Sequence, residues 1–451
     1  MRRHSKNPSR REFLELSAAV SVGAVIAPGA ARLPSPVPQQ GTTLFAAPPL
    51  ERIRIGFVGV GGMGSVHLDN LLKIEGVEIK AICDIVEWKV ERAQDKVVAA
   101  DQPKPAGFSR GPRDFERLCA EQDLDLVFTA TPWEWHVPVL LAALRNGKHA
   151  VTEVPAAMTV DDCWQLVETS ERLQKHCVMM ENCCYDRREM LALNLVRKGI
   201  LGEVLHGECG YLHDLRAIKF AKEGEGLWRR AWSVKADGNL YPTHGLGPVA
   251  QCMDVNRGNR FDFLVSMSSN HRGLEQYAAA HFAETDSRRR EHYTLGDVNA
   301  TLIRTLKGQT IYLAHNTNNP RPYSRLNLLQ GTKGMIQGWP DRVYIEGRSP
   351  EDRWEPLDPY YDEFEHPLWK SERVRQATGG HGGMDFLEDW RLIQCLRRGL
   401  PTDQNVYDAA AWSAIVELTM RSVANRGRPQ DIPDFTRGRW QTTPPLAIIQ
   451  E

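Results

Sequence analysis

A glycine-rich turn directly after a buried apolar strand is the feature that most limits how this chain can fold. Residues 53–60, IRIGFVGV, form a nearly continuous apolar run, which is typical of a strand with both faces buried in a parallel sheet. The turn GVGGMG occupies 59–64 and a helical pattern follows it. A second predicted strand, 77–83, ends in Asp84, 20 positions after Gly64. This order of strand, turn, helix and acidic strand end predicts a Rossmann dinucleotide-binding domain.

Each part of this unit has a physical task in holding a dinucleotide. The turn contributes five predicted cofactor-binding positions: Gly59, Gly61, Gly62, Met63 and Gly64. Glycines let the backbone approach a pyrophosphate, and the following helix offers unpaired N–H groups to it. The carboxylate of Asp84 would accept hydrogen bonds from ribose hydroxyls and repel a 2′-phosphate. The sequence therefore predicts NAD rather than NADP as cofactor.

Two further predicted strands, 124–129 and 149–152, each deliver polar or aromatic residues at the carboxyl end. The first leads into Trp133, Glu134, Trp135 and His136, and the second into Glu153, Val154 and Pro155. Ligands bind at the carboxyl ends of strands in open α/β sheets, so the tryptophans and His136 are predicted to contact the cofactor. A strand at 177–181 completes the predicted first domain, which spans 51–182.

The pattern changes after residue 182. A helix is predicted over 186–198, and short strands follow at 204–212, 261–266, 299–305, 310–316 and 324–330. Many short strands separated by turns predict an α+β domain over 183–451 with a large open, mainly antiparallel sheet. A helical segment over 407–424 is expected to pack back on the body of the protein.

The first 31 residues have the order of an export signal. The motif SRREFL at 9–14 precedes an apolar stretch over 16–27 and a run of small residues. This stretch is too short to span a bilayer, and the paired arginines are typical of a twin-arginine signal. We expect an exported protein, periplasmic or associated with the cell envelope, with a linker over 32–50. A disordered basic tail is the alternative interpretation.

Charge and cysteine usage exclude several other classes. The formal net charge is −1, which offers no electrostatic reason to expect a nucleic-acid partner. Nine cysteines are present without any C-x-x-C spacing, so neither a zinc ribbon nor a disulfide framework is predicted. No H-E-x-x-H motif occurs, and the sequence predicts no metal site.

Several longer stretches carry a resemblance to one family. They are TPWEWH (131–136), EVPAAMTVDDCWQLVETSE (153–171), ENCCYD (181–186), YLHDLR (211–216), YPTHGLGPV (241–249), RPYSRLNLLQGTKG (321–334), GGHGGMDF (379–386) and IPDFTRGRW (432–440). The chain is similar, from about residue 52 to 440, to glycoside hydrolase family 109, the NAD-dependent α-N-acetylgalactosaminidases of the Gfo/Idh/MocA oxidoreductase superfamily. Many members of that superfamily have a Glu-Lys-Pro acid/base motif, whereas this chain has Glu153-Val154-Pro155.

The resemblance implies hydrolysis by a redox-neutral route, an exception to the usual carboxylate pair of glycosidases. The sugar is oxidised at C3, loses its C2 proton and its aglycone, adds water at C1 and is reduced again. NAD then ends each turnover in its starting state. One cofactor exported inside the folded protein could therefore serve many turnovers.

The resemblance also assigns residues to roles. Around the sugar it places Tyr211, His213, Tyr241, Pro242, Thr243, His244 and Tyr323. At the nicotinamide end it places Glu153, Val154, Asn182, Arg229 and Tyr241. Histidine and tyrosine are suitable acids and bases, and His244, His213 and Tyr185 are the candidates, with the proton that each would transfer left open.

Each of these residues also has a structural interpretation. His244, His213 and His136 could order loops, Trp133 and Trp135 could be core residues, and Tyr323 could belong to a turn. At the level of function, an NAD-dependent sugar or cyclitol dehydrogenase is the alternative, and a catalytically inactive sugar-binding or NAD-stabilised structural protein is a third. A glycan or glycoconjugate is the expected substrate, and a homo-oligomer is expected because the open sheet of this superfamily often pairs between subunits.

Overall fold

A parallel sheet forms the first layer of the protein. The computed structural model describes residues 41–371 and 380–449. The six strands of the first sheet are β1 (Ile53–Val58), β2 (Val77–Cys83), β3 (Ala106–Phe108), β4 (Leu126–Thr129), β5 (His149–Thr152) and β6 (Cys177–Met179). Their order is β3-β2-β1-β4-β5-β6 and all pairings are parallel. The Rossmann domain predicted from the sequence is thereby confirmed.

The second sheet is larger and mainly antiparallel, as the sequence predicts. Its strands are β7 (Val204–Leu212), β8 (Phe261–Ser268), β9 (Asn299–Thr305), β10 (Thr310–Asn316), β11 (Leu328–Gly331), β12 (Gly334–Gly338), β13 (Asp341–Ile345) and β14 (Gln430–Asp431). They follow the order β13-β12-β11-β7-β10-β9-β8-β14. Within this second sheet, as far as the described residues form it, β7 and β10 are parallel neighbours and every other pair of strands is antiparallel. The expected α+β second domain is confirmed.

Helices cover both sheets. In chain order they are α1 (Gly62–Leu71), α2 (Glu87–Ala99), α3 (Asp114–Glu121), α4 (Trp133–Arg145), α5 (Val160–Leu173), α6 (Arg187–Arg197), α7 (Arg216–Lys219), α8 (Arg229–Lys235), α9 (Thr243–Cys252), α10 (Gly273–His281), α11 (Asp358–Phe364), α12 (Pro367–Lys370), α13 (Met384–Arg398), α14 (Val406–Ser413) and α15 (Ile415–Ala424). No helix of the described ranges has both the length and the apolar character needed to cross a membrane.

Three element predictions differ from the structure. The strand expected over 324–330 begins only at Leu328, because Leu326 and Asn327 have positive φ angles of 61° and 45° that break an extended strand. The helix expected over 407–424 is divided into α14 and α15, with Ala414 between them. Strand β3 and hairpin strands β12 and β13 were not predicted, since they are short and have weak alternation of apolar and polar residues.

The C-terminal helices return to the first sheet. Helix α13 packs on α1, and α14 packs on α5 and β6. The N–H of Leu50 donates to the carbonyl of Leu396 at 3.1 Å. Residues from the last quarter of the chain, such as Ile393 and Leu396, therefore contribute to the core of the first layer.

The segment before β1 is irregular but packed. Thr43 and Ala47 are buried, and the N–H of Thr43 donates to the Thr443 hydroxyl at 2.8 Å. Within the predicted linker over 32–50, residues 41–50 are therefore tied to the C-terminal part of the chain by these contacts. The predicted export signal over 1–31 lies outside the described residues.

The outward face of the second sheet exposes large apolar side chains. Met267 is 68% exposed and Leu302 is 53% exposed, on the neighbouring strands β8 and β9. Apolar side chains grouped on an open sheet face are compatible with pairing to another subunit. Homo-oligomerisation stays a prediction.

Candidate active site

The glycine turn leaves room for a phosphate group between β1 and α1. A Cβ atom added at Gly64 would lie 2.0 Å from the carbonyl oxygen of Gly59, so only glycine permits this close packing of helix on strand. A Cβ added at Gly61 or Gly62 would instead meet nothing within 4 Å. No side chain caps the N-terminus of α1. Open space facing uncapped N–H groups fits the pyrophosphate of a dinucleotide.

The carboxylate of Asp84 is held at the rim of this turn. Its two oxygens accept the N–H groups of Val60 and Val86, each at 3.0 Å. Asp84 and Met63 both line the cleft that runs along the carboxyl ends of the strands. The side chain is therefore fixed in a position from which it can bind a ribose, as the sequence predicts.

The residues after β4 form the first turn of α4, where the sequence suggests a loop. Trp133, Glu134, Trp135 and His136 all line the cleft. Trp133 is buried against Trp228, with ring centroids 4.8 Å apart. The imidazole nitrogens of His136 lie 2.7 Å and 2.8 Å from the carbonyl oxygens of Pro155 and Thr131, which makes this ring a brace between two strand ends.

Glu153, which follows β5, places a further carboxylate in the cleft. Glu153 lines it, and one oxygen of its carboxylate lies 2.7 Å from Nε2 of the buried His67 on α1. Val154 is 2% exposed and also lines the cleft. The position where many superfamily members carry a lysine is therefore closed by an apolar side chain.

Five ring side chains predicted to surround the sugar come together beyond the far end of the cleft. The Tyr211 ring is 4.7 Å from that of Tyr241, 5.4 Å from His244 and 6.1 Å from Tyr323, measured between centroids. His213 lies 5.1 Å from Tyr323, and its Nδ1 is hydrogen-bonded to the Tyr211 hydroxyl at 3.1 Å. These residues, which we call the ring cluster, come from the end of β7 and the residue after it, from the start of α9 and the residues before it, and from the chain after β10. Tyr241 belongs to the cleft and to the cluster.

A buried carboxylate orients one histidine of the ring cluster. Nδ1 of His244 lies 2.7 Å from the carboxylate of Glu181, which is fully buried just after β6. Burial acts to raise the pKa of Glu181, but its pairing with His244 outweighs this and holds the pKa below its ordinary value. Because Nδ1 is engaged, Nε2 of His244 remains available to exchange a proton.

Close backbone packing positions this histidine. His244 stands in the first turn of α9, next to Gly245, where the sequence suggests a turn-rich loop. A Cβ added at Gly245 would lie 2.3 Å from the backbone nitrogen of Gly210 on β7. Pro242 and Thr243 begin the helix and are buried. The two glycines let helix and strand meet closely enough to bring His244 beside Tyr211.

Arg229 joins the cofactor cleft to the ring cluster. Its guanidinium carbon lies 4.8 Å from the ring centroid of Tyr241 and 5.1 Å from that of Trp133, which are cation–π distances. The same group forms an ion pair with Glu225. Arg229 and Glu225 both line the cleft, so a fixed cation stands at the point where the two regions join.

Two predicted residues lie apart from the ring cluster. The Tyr185 hydroxyl donates to Asp403 at 3.1 Å, and the ring lines a separate small cavity with Asp403 and Arg391. Burial raises the pKa of Tyr185 well above its ordinary value. The geometry therefore does not support Tyr185 as an acid or base for the sugar. Asn182 is buried and donates to Asp385 at 2.6 Å instead of lining the cleft.

One group within the described ranges has three possible metal-ligating atoms. Glu181, Cys183 and His244 offer atoms that all lie within 4.8 Å of one another. Burial raises the pKa of the Cys183 thiol well above its ordinary value, which disfavours the thiolate that a metal requires. We therefore interpret Glu181 as the hydrogen-bond partner that orients His244 and not as a metal ligand.

Three further polar residues near the site were not predicted. Glu181 ends a predicted strand, as Asp84 does, and that position is the signal that could have revealed it. His315 pairs in register with Tyr211 across β10 and β7. Buried Lys219 donates to the Thr317 hydroxyl and the Asn318 side-chain oxygen at 2.8 Å and 2.7 Å. Neither His315 nor Lys219 has a local sequence signal, because only the sheet register and the packing of α7 place them here.

Family models match both parts of the chain. Residues 53–181 match the oxidoreductase family with an NAD-binding Rossmann fold, and residues 185–442 match the C-terminal domain of glycosyl hydrolase 109. The expected NAD-binding domain is thereby confirmed, and the open cradle at Gly61 and Gly62 fits that cofactor.

Similar structures belong to dehydrogenases. A levoglucosan dehydrogenase in complex with NADH and levoglucosan has a TM-score of 0.64 and 18% identity, and the match covers 85% of this chain and 100% of that one. An inositol dehydrogenase homolog from Azotobacter vinelandii, complexed with NAD+, has a TM-score of 0.62 and 17% identity over 86% of this chain and 99% of that one. At these identities the likeness shows the fold.

Curated relatives are similar over almost their whole length. A glycosyl hydrolase family 109 protein of Solibacter usitatus is 49% identical over 97% of this chain and 99% of the relative. A family 109 protein of Shewanella baltica is 46% identical over 98% of this chain and 99% of the relative. With its NAD-binding domain, its family 109 C-terminal domain and these relatives, the chain belongs to glycosyl hydrolase family 109.

Proposed function

We infer that this glycoside hydrolase removes terminal α-linked N-acetylgalactosamine by a redox-neutral reaction that uses tightly bound NAD. The observation that carries the proposal is the Glu181–His244 pair in the ring cluster, beside the cofactor cleft. Val154 supports it, since the lysine of the usual dehydrogenase relay is missing. The family resemblance supports the choice of N-acetylgalactosamine.

Bound NAD supplies reversible oxidation at C3 of the sugar. The protein must then accept the C2 proton, which the neighbouring ketone makes acidic. We assign this proton to Nε2 of His244, because Glu181 holds the other nitrogen at 2.7 Å and stabilises the imidazolium that forms. The C3 hydroxyl proton is assigned to the hydrogen-bonded pair of Tyr211 and His213. Burial holds the pKa of His213 below its ordinary value, so its imidazole is neutral near pH 7 and free to accept a proton.

The remaining ring side chains and Arg229 would bind the substrate. Tyr241 and Tyr323 can pack on the apolar face of a sugar ring, and Arg229 can donate to its hydroxyl groups. Pro242 and Thr243 shape the start of the helix that carries His244. A glycan or glycoconjugate would enter from the open side of the ring cluster.

Export by the twin-arginine route is part of the proposal. The motif at 9–14 supports it, and that route transports folded proteins. A periplasmic or envelope-associated enzyme that regenerates its NAD in every turnover would need no supply of free cofactor.

The test uses the mature protein purified without added nucleotide. Release of nitrophenol from nitrophenyl α-N-acetylgalactosaminide is followed in D₂O, and the sugar product is analysed for deuterium at C2. We expect release, deuterium at C2 and no accumulation of NADH. Stoichiometric NADH with sugar would favour the dehydrogenase, and sugar binding without turnover would favour an inactive binding protein. Release without deuterium would leave hydrolysis standing and favour either a different mechanism or a base that shields its proton from solvent.

A further inference from the structure

A buried histidine links the cofactor cleft to the C-terminal helices. His67 on α1 is 1% exposed, and its Nε2 lies 2.7 Å from Glu153. Its Nδ1 lies 2.8 Å and 2.9 Å from the two carboxylate oxygens of Asp389 on α13. Asn70 donates to the same carboxylate at 3.0 Å. An imidazole can donate from both nitrogens only when it is doubly protonated, so this geometry calls for a cation.

The charge of this group is directed toward the cleft. Asp389 is fully buried, whereas the side chain of Glu153 is 16% exposed and lines the cleft. One cation shared by two carboxylates leaves one negative charge, and Glu153 is the member that meets the ligand. Burial acts to lower the pKa of His67, but Asp389 and Glu153 outweigh it and raise the pKa well above its ordinary value.

The position of Glu153 in the sheet identifies which part of the dinucleotide it meets. Strand order reverses between β1 and β4, and a dinucleotide binds across that point. Asp84 follows β2 on one side and is suited to the adenosine ribose. Glu153 follows β5 on the other side, with Tyr241 and Arg229 nearby in the cleft. Glu153 therefore faces the nicotinamide end.

We propose that His67 is a positioning residue which, braced by Asp389, holds Glu153 as an anion at the nicotinamide end and makes the site bind NAD⁺ more tightly than NADH. The oxidised nicotinamide ring carries a positive charge and the reduced ring does not, so a fixed anion favours the oxidised form. This inference rests on the proposed function, because a redox-neutral cycle must begin each turnover with NAD⁺.

The test measures which form of the cofactor the protein retains. Full-length protein is equilibrated with equal concentrations of NAD⁺ and NADH and separated from free nucleotide, and the bound ratio is read from absorbance. We expect the wild type to be enriched in NAD⁺. Glu153→Gln should reduce the enrichment about tenfold. His67→Gln should act in the same direction, because Glu153 and Asp389 left without the cation between them share one proton, which Glu153 then carries for part of the time.

Two further variants keep the test decisive. Asp389→Asn should also reduce the enrichment, since it removes one negative charge from the group while the His67 cation stays beside Glu153, and it carries the test if His67→Gln does not fold. His206→Gln is the control, because this histidine bonds Thr310 on the outer sheet face and should leave the ratio unchanged. A folded His67→Gln protein with the wild-type ratio would overturn the proposal, as would a wild type without preference. Because no sugar is needed, failure of the glycosidase assay would not affect this result.

Discussion

The cofactor cleft and the ring cluster adjoin each other, yet they are built in opposite ways. Most of the cleft is made from strand ends that follow one another in the chain, from the glycine turn at 59–64 to Glu153, and residues between 224 and 241 complete its lining. The ring cluster collects Tyr211, His244 and Tyr323 from distant parts of the chain, and Glu181, from yet another part, orients His244. In the first case backbone shape fits the cofactor, and in the second side chains are proposed to do the chemistry. The same fold can therefore keep its cofactor while the reaction changes.

The largest expected effect is a loss of catalytic rate in ring-cluster variants whose cofactor binding is unchanged. His244→Ala should lower kcat by about 10²- to 10⁴-fold, because a general base contributes that much to a proton transfer. Glu181→Gln should lower kcat less, since it only orients His244. Bound NAD in the purified proteins should remain at the wild-type level. The measurement is nitrophenol release together with cofactor content. Loss of NAD from both variants would show that the cluster and the cleft are not separable.

A matched set of glycine substitutions tests the close backbone packing of each region independently. Gly64→Ala and Gly245→Ala each force a Cβ into backbone atoms, at 2.0 Å and 2.3 Å, and should each cost about 1–3 kcal/mol in free energy of unfolding. Only Gly64→Ala should lose NAD, and only Gly245→Ala should lose activity with NAD still bound. Gly61→Ala is the control, because its Cβ meets nothing within 4 Å. It should fold normally but bind NAD weakly, and unchanged NAD content in it would refute a phosphate cradle at this turn.

A pH series examines the buried polar groups behind the ring cluster. Burial, with help from Arg229, lowers the pKa of Lys219 from 10.5 to about 7. Between these values the unfolded chain binds more protons than the folded one, so the stability contributed by this group rises with pH. The stability of the wild type relative to Lys219→Met should rise by up to about 1.4 kcal/mol per pH unit across that window. Urea unfolding of both proteins at about pH 7 and about pH 9 gives their free energies of unfolding. A difference between the two proteins that does not change with pH would contradict a lowered pKa of Lys219.

The smallest effect concerns cofactor choice at the far end of the cleft. Asp84→Asn keeps the size of the side chain and removes the charge that repels a 2′-phosphate. We expect the preference for NAD over NADP to fall about tenfold, with activity on NAD-loaded protein little changed. Competition between the two nucleotides for the protein measures the preference. An unchanged preference would assign the discrimination to another residue of the cleft.

The sequence predicted the strands best where apolar residues form an unbroken or alternating run. The observed bounds of β2, β5, β7, β9 and β10 are those predicted. Helix starts are harder to predict, because Trp133 and His244, which the sequence places beside strand ends or in loops, lie in the first turns of α4 and α9. A helix start depends on its cap and on packing, and α9 is held by the contact of Gly245 with Gly210 across the two elements.

The same division holds for the site. The sequence by itself determined the cofactor turn, Asp84 and the missing lysine at Val154, because these depend on local order along one chain segment. Only the tertiary structure decided that Glu181 orients His244, that Tyr185 faces Asp403, and that His67 joins Glu153 to Asp389. Such contacts join residues up to 322 positions apart, and no local pattern encodes a pairing that sheet order and helix packing create.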